Sequence, residues 1–166
     1  MTDVITGWRV DSPRTDDHPA LAALFADCSA DTVRSRFFGR LDEFPRDYLD
    51  AVLAGRPERH DAVVAWRSDH RGRRQFAGLA GLAAPAPGDS RGAELAVLVA
   101  DAWQRQGLGS AMVDALLLRA RERGVPRVSA CVLPGRSWLL AALARRLELE
   151  SASRSRDCLT GVYRLA

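Results

Sequence analysis

Residues 93–110 read Ala-Glu-Leu-Ala-Val-Leu-Val-Ala-Asp-Ala-Trp-Gln-Arg-Gln-Gly-Leu-Gly-Ser, a strand followed by the start of a helix. After Glu94 the segment is apolar as far as Ala100, which predicts a central strand buried on both faces. From Gly107 to about Arg123 the period becomes helical. Leu108, Met112, Ala115 and Leu116 form a stripe, and Arg119, Glu122 and Arg123 lie off it. Gly124 and Pro126 end the helix. Gly107 and Gly109 therefore sit at a helix start, where the first N–H groups lack intrahelical partners and the dipole favours phosphate. Glycine has no Cβ to hold a pyrophosphate off the backbone, and Arg105 adds a charged donor. Close packing of helix on strand would use the same two glycines, so the spacing leaves both readings open. Two other phosphate motifs are excluded. G-x-x-x-x-G-K-[ST] needs a lysine, which the sequence lacks, and G-x-G-x-x-G needs glycine at position 112, which is Met.

Working outward, residues 4–10 read as one strand and 11–17 as a polar loop. Asp17 caps a helix over 18–28, with Pro19 in its first turn and Leu21, Leu24 and Phe25 on one face. Asp31 caps a second helix ending near Phe38 and Gly39. A third covers 44–53, with Pro45 early and Gly55 as its stop. Residues 61–66 and 75–83 form a hairpin around a polar turn, and the Pro- and Gly-rich stretch 84–92 is a loop. Beyond the central helix come a strand over 128–133, a helix over 137–147 capped by Ser137, and strands over 150–155 and 159–165. This order predicts a mixed α/β sheet with a right-handed parallel crossover between the strands at 94 and 128.

At about 150 residues per domain, 166 residues make one domain with a core of its own. The 24 basic residues are all Arg, and the net charge of +3 is too small to indicate nucleic acid. There is no Lys and no Asn, a bias expected of GC-rich coding. Cys28, Cys131 and Cys158 are far apart in sequence and form no C-x-x-C pair, so a metal site is not expected and reduced thiols are. The N-terminus lacks a signal-peptide pattern, and no run of about 18 apolar residues spans a membrane. The expectation is a cytoplasmic protein.

Gln104, Gly107 and Gly109, with Trp103 just upstream, spell Q-x-x-G-x-G after a buried strand. This resembles the [R/Q]-x-x-G-x-[G/A] motif of the GNAT acetyltransferase superfamily. The resemblance implies a single GNAT domain over residues 1–166, with a mostly antiparallel sheet splayed at its central parallel strands and flanked by helices. It implies acetyl-CoA as co-substrate and no metal. Gln104 and the backbone of Arg105, Gln106, Gly107, Leu108, Gly109 and Ser110 would hold the pyrophosphate, and the pantetheine arm would run along Val97, Leu98 and Val99. Residues 93–109, and Ser-Ala-Asp-Thr-Val-Arg-Ser-Arg-Phe-Phe-Gly at 29–39, are similar to the GNAT domain of bacterial protein lysine acetyltransferases. There the Glu on the central strand, here Glu94, is the general base, and the N-terminal helices form part of the acceptor side. The chain departs from the family where an Asn often follows the fifth strand: residues 133–137 are Leu-Pro-Gly-Arg-Ser. The next helix has no Tyr to act as general acid. A coenzyme thiol is acidic enough to leave as thiolate. The expected partner is a protein with an exposed lysine, or a small amine. The alternative is an acyl-CoA-binding regulatory module with little activity.

The chemistry singles out Glu94. A lysine amine has a pKa of about 10.4, so a carboxylate that removes its proton at neutral pH assists attack on a thioester. The competing reading is a solvated Glu at a strand start. A backbone N–H near Val97 would face developing oxyanion charge. Cys131 is a nucleophile or, more simply, a buried core thiol. His18, His60 and His70 read as surface residues, and Arg71, Arg73 and Arg74 as a solvated hairpin tip. Arg34, Phe37 and Phe38 line an acceptor groove or are two core aromatics and a surface Arg.

Overall fold

The computed structural model describes residues 3–5 and 7–165. In chain order the elements are β1 (Asp3–Ile5), β2 (Trp8–Asp11), α1 (His18–Ala26), α2 (Ala30–Phe37), α3 (Arg46–Leu53), β3 (His60–Ser68), β4 (Arg74–Ala83), β5 (Ala93–Val99), a 3-10 turn (Asp101–Trp103), α4 (Leu108–Glu122), β6 (Arg127–Val132), α5 (Trp138–Ala144), β7 (Glu148–Arg154) and β8 (Leu159–Arg164). One sheet carries the strands in the order β1-β2-β3-β4-β5-β6-β8-β7. Only β5 and β6 are parallel; the other neighbours are antiparallel. This is the expected mixed α/β sheet, splayed at its central parallel pair.

The splay is visible in the register. β5 pairs β4 from Ala83↔Glu94 to Gly78↔Val99. It pairs β6 only at Ala93↔Val128 and Glu94↔Ser129. Beyond that point β6 continues alongside β8 as far as Val132↔Leu159, and β5 goes on without it. The expectation that β5 is buried on both faces is therefore corrected. Ala93, Leu95 and Leu98 are buried, but Ala96, Val97 and Val99 are half-buried because the sheet opens beside them.

Period-two alternation sends β-strand side chains to two cores. On one face Leu82, Leu95 and Val128 pack with Leu108, Met112 and Leu116 of α4 and Leu143 of α5. On the other, Val64, Leu79 and Leu98 pack with Leu21, Leu24 and Val33 of α1 and α2 and Val52 of α3. Glu94 and Leu98 are four residues apart on β5, so Glu94 belongs to the α1–α3 face. Two carboxylates among the described residues are buried and paired: Asp17 with Arg74 at 3.1 Å, and Asp61 with Arg119 at 3.0 Å and Arg123 at 2.7 Å.

Several local expectations change. Residues 4–10 are two strands, because Gly7 at φ 85 lets the chain reverse; Thr6 lies outside the described residues. Asp17 stands at the start of α1, but its carboxylate accepts from Arg14 N–H and Arg74 instead of capping the helix. Ser29, not Asp31, caps α2, its Oγ accepting from Thr32 N–H at 3.1 Å. The left-handed residue that ends α2 is Phe38, not Gly39. α5 stops at Ala144 and β7 begins at Glu148, earlier than expected. His60 is not a surface residue. Its ring meets Tyr48 with centroids 5.7 Å apart and fills the space over Gly81, with Nε2 buried and unpartnered among the described residues. Burial, then the charge of Arg36, pushes its pKa below the ordinary value.

The parallel pair starts where it does because Gly92 allows it. Gly92 has φ 83, and a Cβ there would collide with the carbonyl of Arg127, the residue that opens β6. Gly92→Ala should therefore destabilise the protein by about 2 kcal/mol or more, lowering the melting temperature by roughly 4–8 °C. Thermal unfolding followed by circular dichroism checks this; an unchanged midpoint would mean that the loop relaxes freely.

Candidate active site

A cleft of about 700 Å³ opens where β5 and β6 part. β5 lines it from Glu94 to Val99. α2 contributes Asp31, Thr32, Ser35 and Arg36, and Phe38 follows at its end. The opposite side comes from Cys131 and Val132 of β6 and from Arg136 and Trp138. Asp31 and Arg136 form an ion pair that joins α2 to the segment after β6. The turn after β5 closes the end remote from Glu94.

That turn has an unusual backbone. Arg105 has φ 61 and Gly107 has φ 85, both left-handed. Left-handed residues in a turn aim successive N–H groups into one concavity, an anion-binding nest. The start of α4 follows at once, with no side chain capping its N–H groups. The two readings of the glycines separate here. A Cβ on Gly107 would meet nothing within 4 Å, so its conformation, not crowding, demands glycine. A Cβ on Gly109 would lie 3.0 Å from the Trp138 ring, so Gly109 serves close packing, against α5.

Side chains brace the turn from behind. Gln104 Nε2 donates to Val99 O at 2.9 Å and to Thr32 Oγ1 at 3.1 Å. Gln106 Nε2 donates to Ala102 O at 3.3 Å. The Ser29 N–H and hydroxyl both donate to the Asp101 carboxylate at 2.8 Å. Trp103 packs edge-on against Trp8 at 4.9 Å, and the Arg67 guanidinium stacks on both rings. The Gln104 side chain thus holds the turn to α2, and the residue also lines the cleft. Leu98 and Leu108 are buried in the two cores; Leu98 still borders the cleft, whereas Leu108 and Gln106 do not line it. Arg105, Gly107, Gly109 and Ser110 line it, as do Val97 and Val99.

Glu94 is exposed at the other end of the strand. Of the aromatics singled out at 37 and 38, Phe37 packs on Phe44 and Tyr48 while Phe38 is exposed in the cleft. Sequence reasoning missed Asp31, Arg136 and Trp138 as cleft residues. Asp31 lies 105 residues before Arg136 in the chain, and no local pattern links it to Arg136 and Trp138. The Ser29–Thr32 cap was legible as S-x-x-T but was overshadowed by Asp31.

Comparison with known proteins agrees with this geometry. The sequence profile of the acetyltransferase (GNAT) family matches residues 21–146. Among solved structures, the GNAT domain of S. lividans PAT superposes with a TM-score of 0.80 at 22% identity, covering 99% of this chain and 96% of that one. The ribosomal-protein-S5-alanine acetyltransferase of Vibrio fischeri gives 0.74 at 10% identity, covering 99% and 97%. The putative acetyltransferase yncA from Salmonella typhimurium, solved with its cofactor acetyl-CoA, gives 0.69 at 15% identity, covering 98% and 94%. At these identities the likeness is one of fold.

The cysteines differ sharply in character. Burial pushes Cys28 up to about 12, helped by the charges of Asp101 and Asp27. Burial, then contact with Cys158, pushes Cys131 up to about 11, with Glu94 contributing. Cys158, far from Cys131 in sequence but beside it in space, is lowered by that contact and by Ser155. A thiol held protonated is a poor nucleophile, which counts against the nucleophile reading of Cys131; the buried-core reading is corrected as well, since the residue is half-buried in the cleft wall. Iodoacetamide at pH 8 should alkylate Cys158 first, with Cys28 and Cys131 slower by about tenfold or more. Peptide mass spectrometry over a time course checks the order, and faster labelling of Cys131 would contradict it.

Proposed function

The chain belongs to the acetyltransferase (GNAT) family, and we propose that it moves an acetyl group from acetyl-CoA to an amine, favouring the side-chain amine of lysine in a protein. The observation that carries the proposal is the β5 edge from Leu95 to Val99, which has no β6 partner and runs from Glu94 to the left-handed turn at 105–107. At about 3.3 Å per residue, Glu94 and Val99 are roughly 16 Å apart along the strand. An extended chain bearing amides can pair with such an edge as an added strand would. The fit extends to the anionic end, where the N–H groups of the turn and of α4 suit a pyrophosphate and Gly107 leaves the approach open.

Acetyl-CoA, when bound, supplies an activated thioester. Glu94 takes the proton of the incoming ammonium, directly or through water, so that the neutral amine attacks in a ternary complex. A backbone N–H near Val97 meets the negative charge that develops on the thioester oxygen. α5 carries no tyrosine among residues 138–144, so no side chain of that helix protonates the leaving thiolate. The lysine preference rests on the resemblance of residues 29–39 and 93–109. A cytoplasmic setting agrees with three free thiols, and no helix among the described residues is long and apolar enough to cross a membrane.

The deciding experiment is release of coenzyme A from acetyl-CoA in the presence of lysine proteins, peptides with a free N-terminus and small amines. Turnover with the lysine set supports the proposal. Turnover only with small amines replaces the acceptor, and thermal stabilisation by acetyl-CoA without turnover would make the protein a binding module. Glu94→Gln keeps the size and removes the base. It should lower kcat by about 10²-fold or more with acetyl-CoA affinity nearly unchanged. Activity should recover as pH rises towards about 10, where the amine deprotonates without help. Wild-type turnover at neutral pH in this variant would remove Glu94 from the mechanism. Gly107→Ala puts a Cβ on a left-handed residue, and the rise in melting temperature given by acetyl-CoA should shrink or vanish. An undiminished rise would move the pyrophosphate site elsewhere.

A further inference from the structure

Helices commonly stop by placing a glycine in the left-handed conformation, which a Cβ disfavours. α2 stops instead with Phe38 at φ 61 and ψ 17, although Gly39 follows directly. A bulky left-handed residue is an outlier that the surrounding structure must offset, and such outliers gather at functional sites. Packing does not account for it. Phe38 is 44% exposed, while Phe37 beside it is held by Phe44 and Tyr48. Had Gly39 provided the stop, position 38 would have stayed helical, about 100° round the axis from residue 37. Ending the helix one residue earlier frees the ring from that path, and it lines the cleft that Glu94 also lines.

We propose that Phe38 binds the acceptor, its ring carrying the aliphatic stem of the lysine whose amine is presented to Glu94. The inference rests on the acetyl-transfer reading and narrows its acceptor to amines borne on a flexible apolar stem. A lysine lays its methylenes on apolar surface while its amine stays in polar surroundings, and an aromatic face attracts an ammonium before it loses its proton. The cleft offers both parts: an exposed ring from the end of α2 and a carboxylate from β5 on the sheet face that α2 covers. An N-terminal α-amine is attached directly to its backbone and has no such stem to lay on the ring.

Phe38→Ala removes the ring and keeps the strained Cβ; Phe38→Gly removes both. The Gly variant should be the more stable of the two, the reverse of their order inside a helix. With an Nα-acetylated lysine peptide, both variants should lose about tenfold or more in kcat/KM, chiefly through the acceptor KM. The KM for acetyl-CoA should not move, and Phe38→Tyr should restore most of the loss. With glycinamide, an amine without a stem, the two variants should match the wild type. Unchanged kcat/KM on the lysine peptide in the Gly variant would overturn the proposal. An equal loss in acetyl-CoA affinity would do the same, since the ring would then shape the cofactor side. If the wild type turns over glycinamide and no lysine peptide, the acceptor class is wrong while acetyl transfer stands. If it acetylates no amine, the underlying reading falls first.

Discussion

A β-strand in the middle of a sheet ordinarily spends its backbone groups on two neighbours. β5 does so for two residues, at Ala93↔Val128 and Glu94↔Ser129, and then keeps β4 alone. Polar backbone left without a partner must find water or a ligand, so the parting of β5 and β6 is the constraint on which the rest of the molecule depends. It needs β5 to stay put after losing one neighbour. The two cores do this from opposite sides, Leu95 anchored against α4 and Leu98 against the first three helices. It also needs β6 to be stable without β5, and β8 pairs it along its whole length.

The end of β5 is tied down as firmly as its beginning. Asp101 holds Ser29, and Gln104 holds Thr32 and the Val99 carbonyl, so the cap of α2 and the turn before α4 form one hydrogen-bonded unit. This couples the wall of the cleft to its anionic end. Arg67 stacked on Trp8 and Trp103 extends the brace to β2 and β3. The strain in the described residues has a matching distribution. Two non-glycine residues have positive φ, Phe38 and Arg105, and both line the cleft. A structure chosen for stability alone would have put glycine there, as it did at Gly55 and Gly124.

Most of this architecture was legible in the sequence because its signals are local. The apolar run after Glu94, the helical stripe from Leu108 and the glycines between them sit within one window, and they locate β5, the turn and α4 to within a residue or two. What escaped was non-local or a competition between neighbours. Apolar composition at 96–99 suggests full burial, but burial is decided by how far β6 follows, and its paired residues lie 35 positions further along the chain, as in Glu94↔Ser129. Asp31 and Ser29 are both good caps, and the choice between them turns on Asp101, which takes the Ser29 N–H. Gly39 is the better helix stop by propensity, and Phe38 takes the position against it. Arg136 sits in a short segment after β6 with no pattern of its own, and only the folded chain brings it to Asp31.

The glycines of the motif illustrate how one signal can carry two meanings. G-x-G at a helix start reads equally as room for phosphate and as room for packing, and the fold assigns one meaning to each. Gly107 has open space beyond its missing Cβ and a backbone angle that side chains resist; Gly109 has Trp138 against it. At 109 the start of α4 lies against Trp138, which lines the cleft, while the left-handed backbone at 107 belongs to the turn at the cleft end remote from Glu94. The pair therefore divides the work: a missing Cβ at 109 lets a cleft residue close on the start of α4, and a missing Cβ at 107 lets the backbone take a turn that side chains resist.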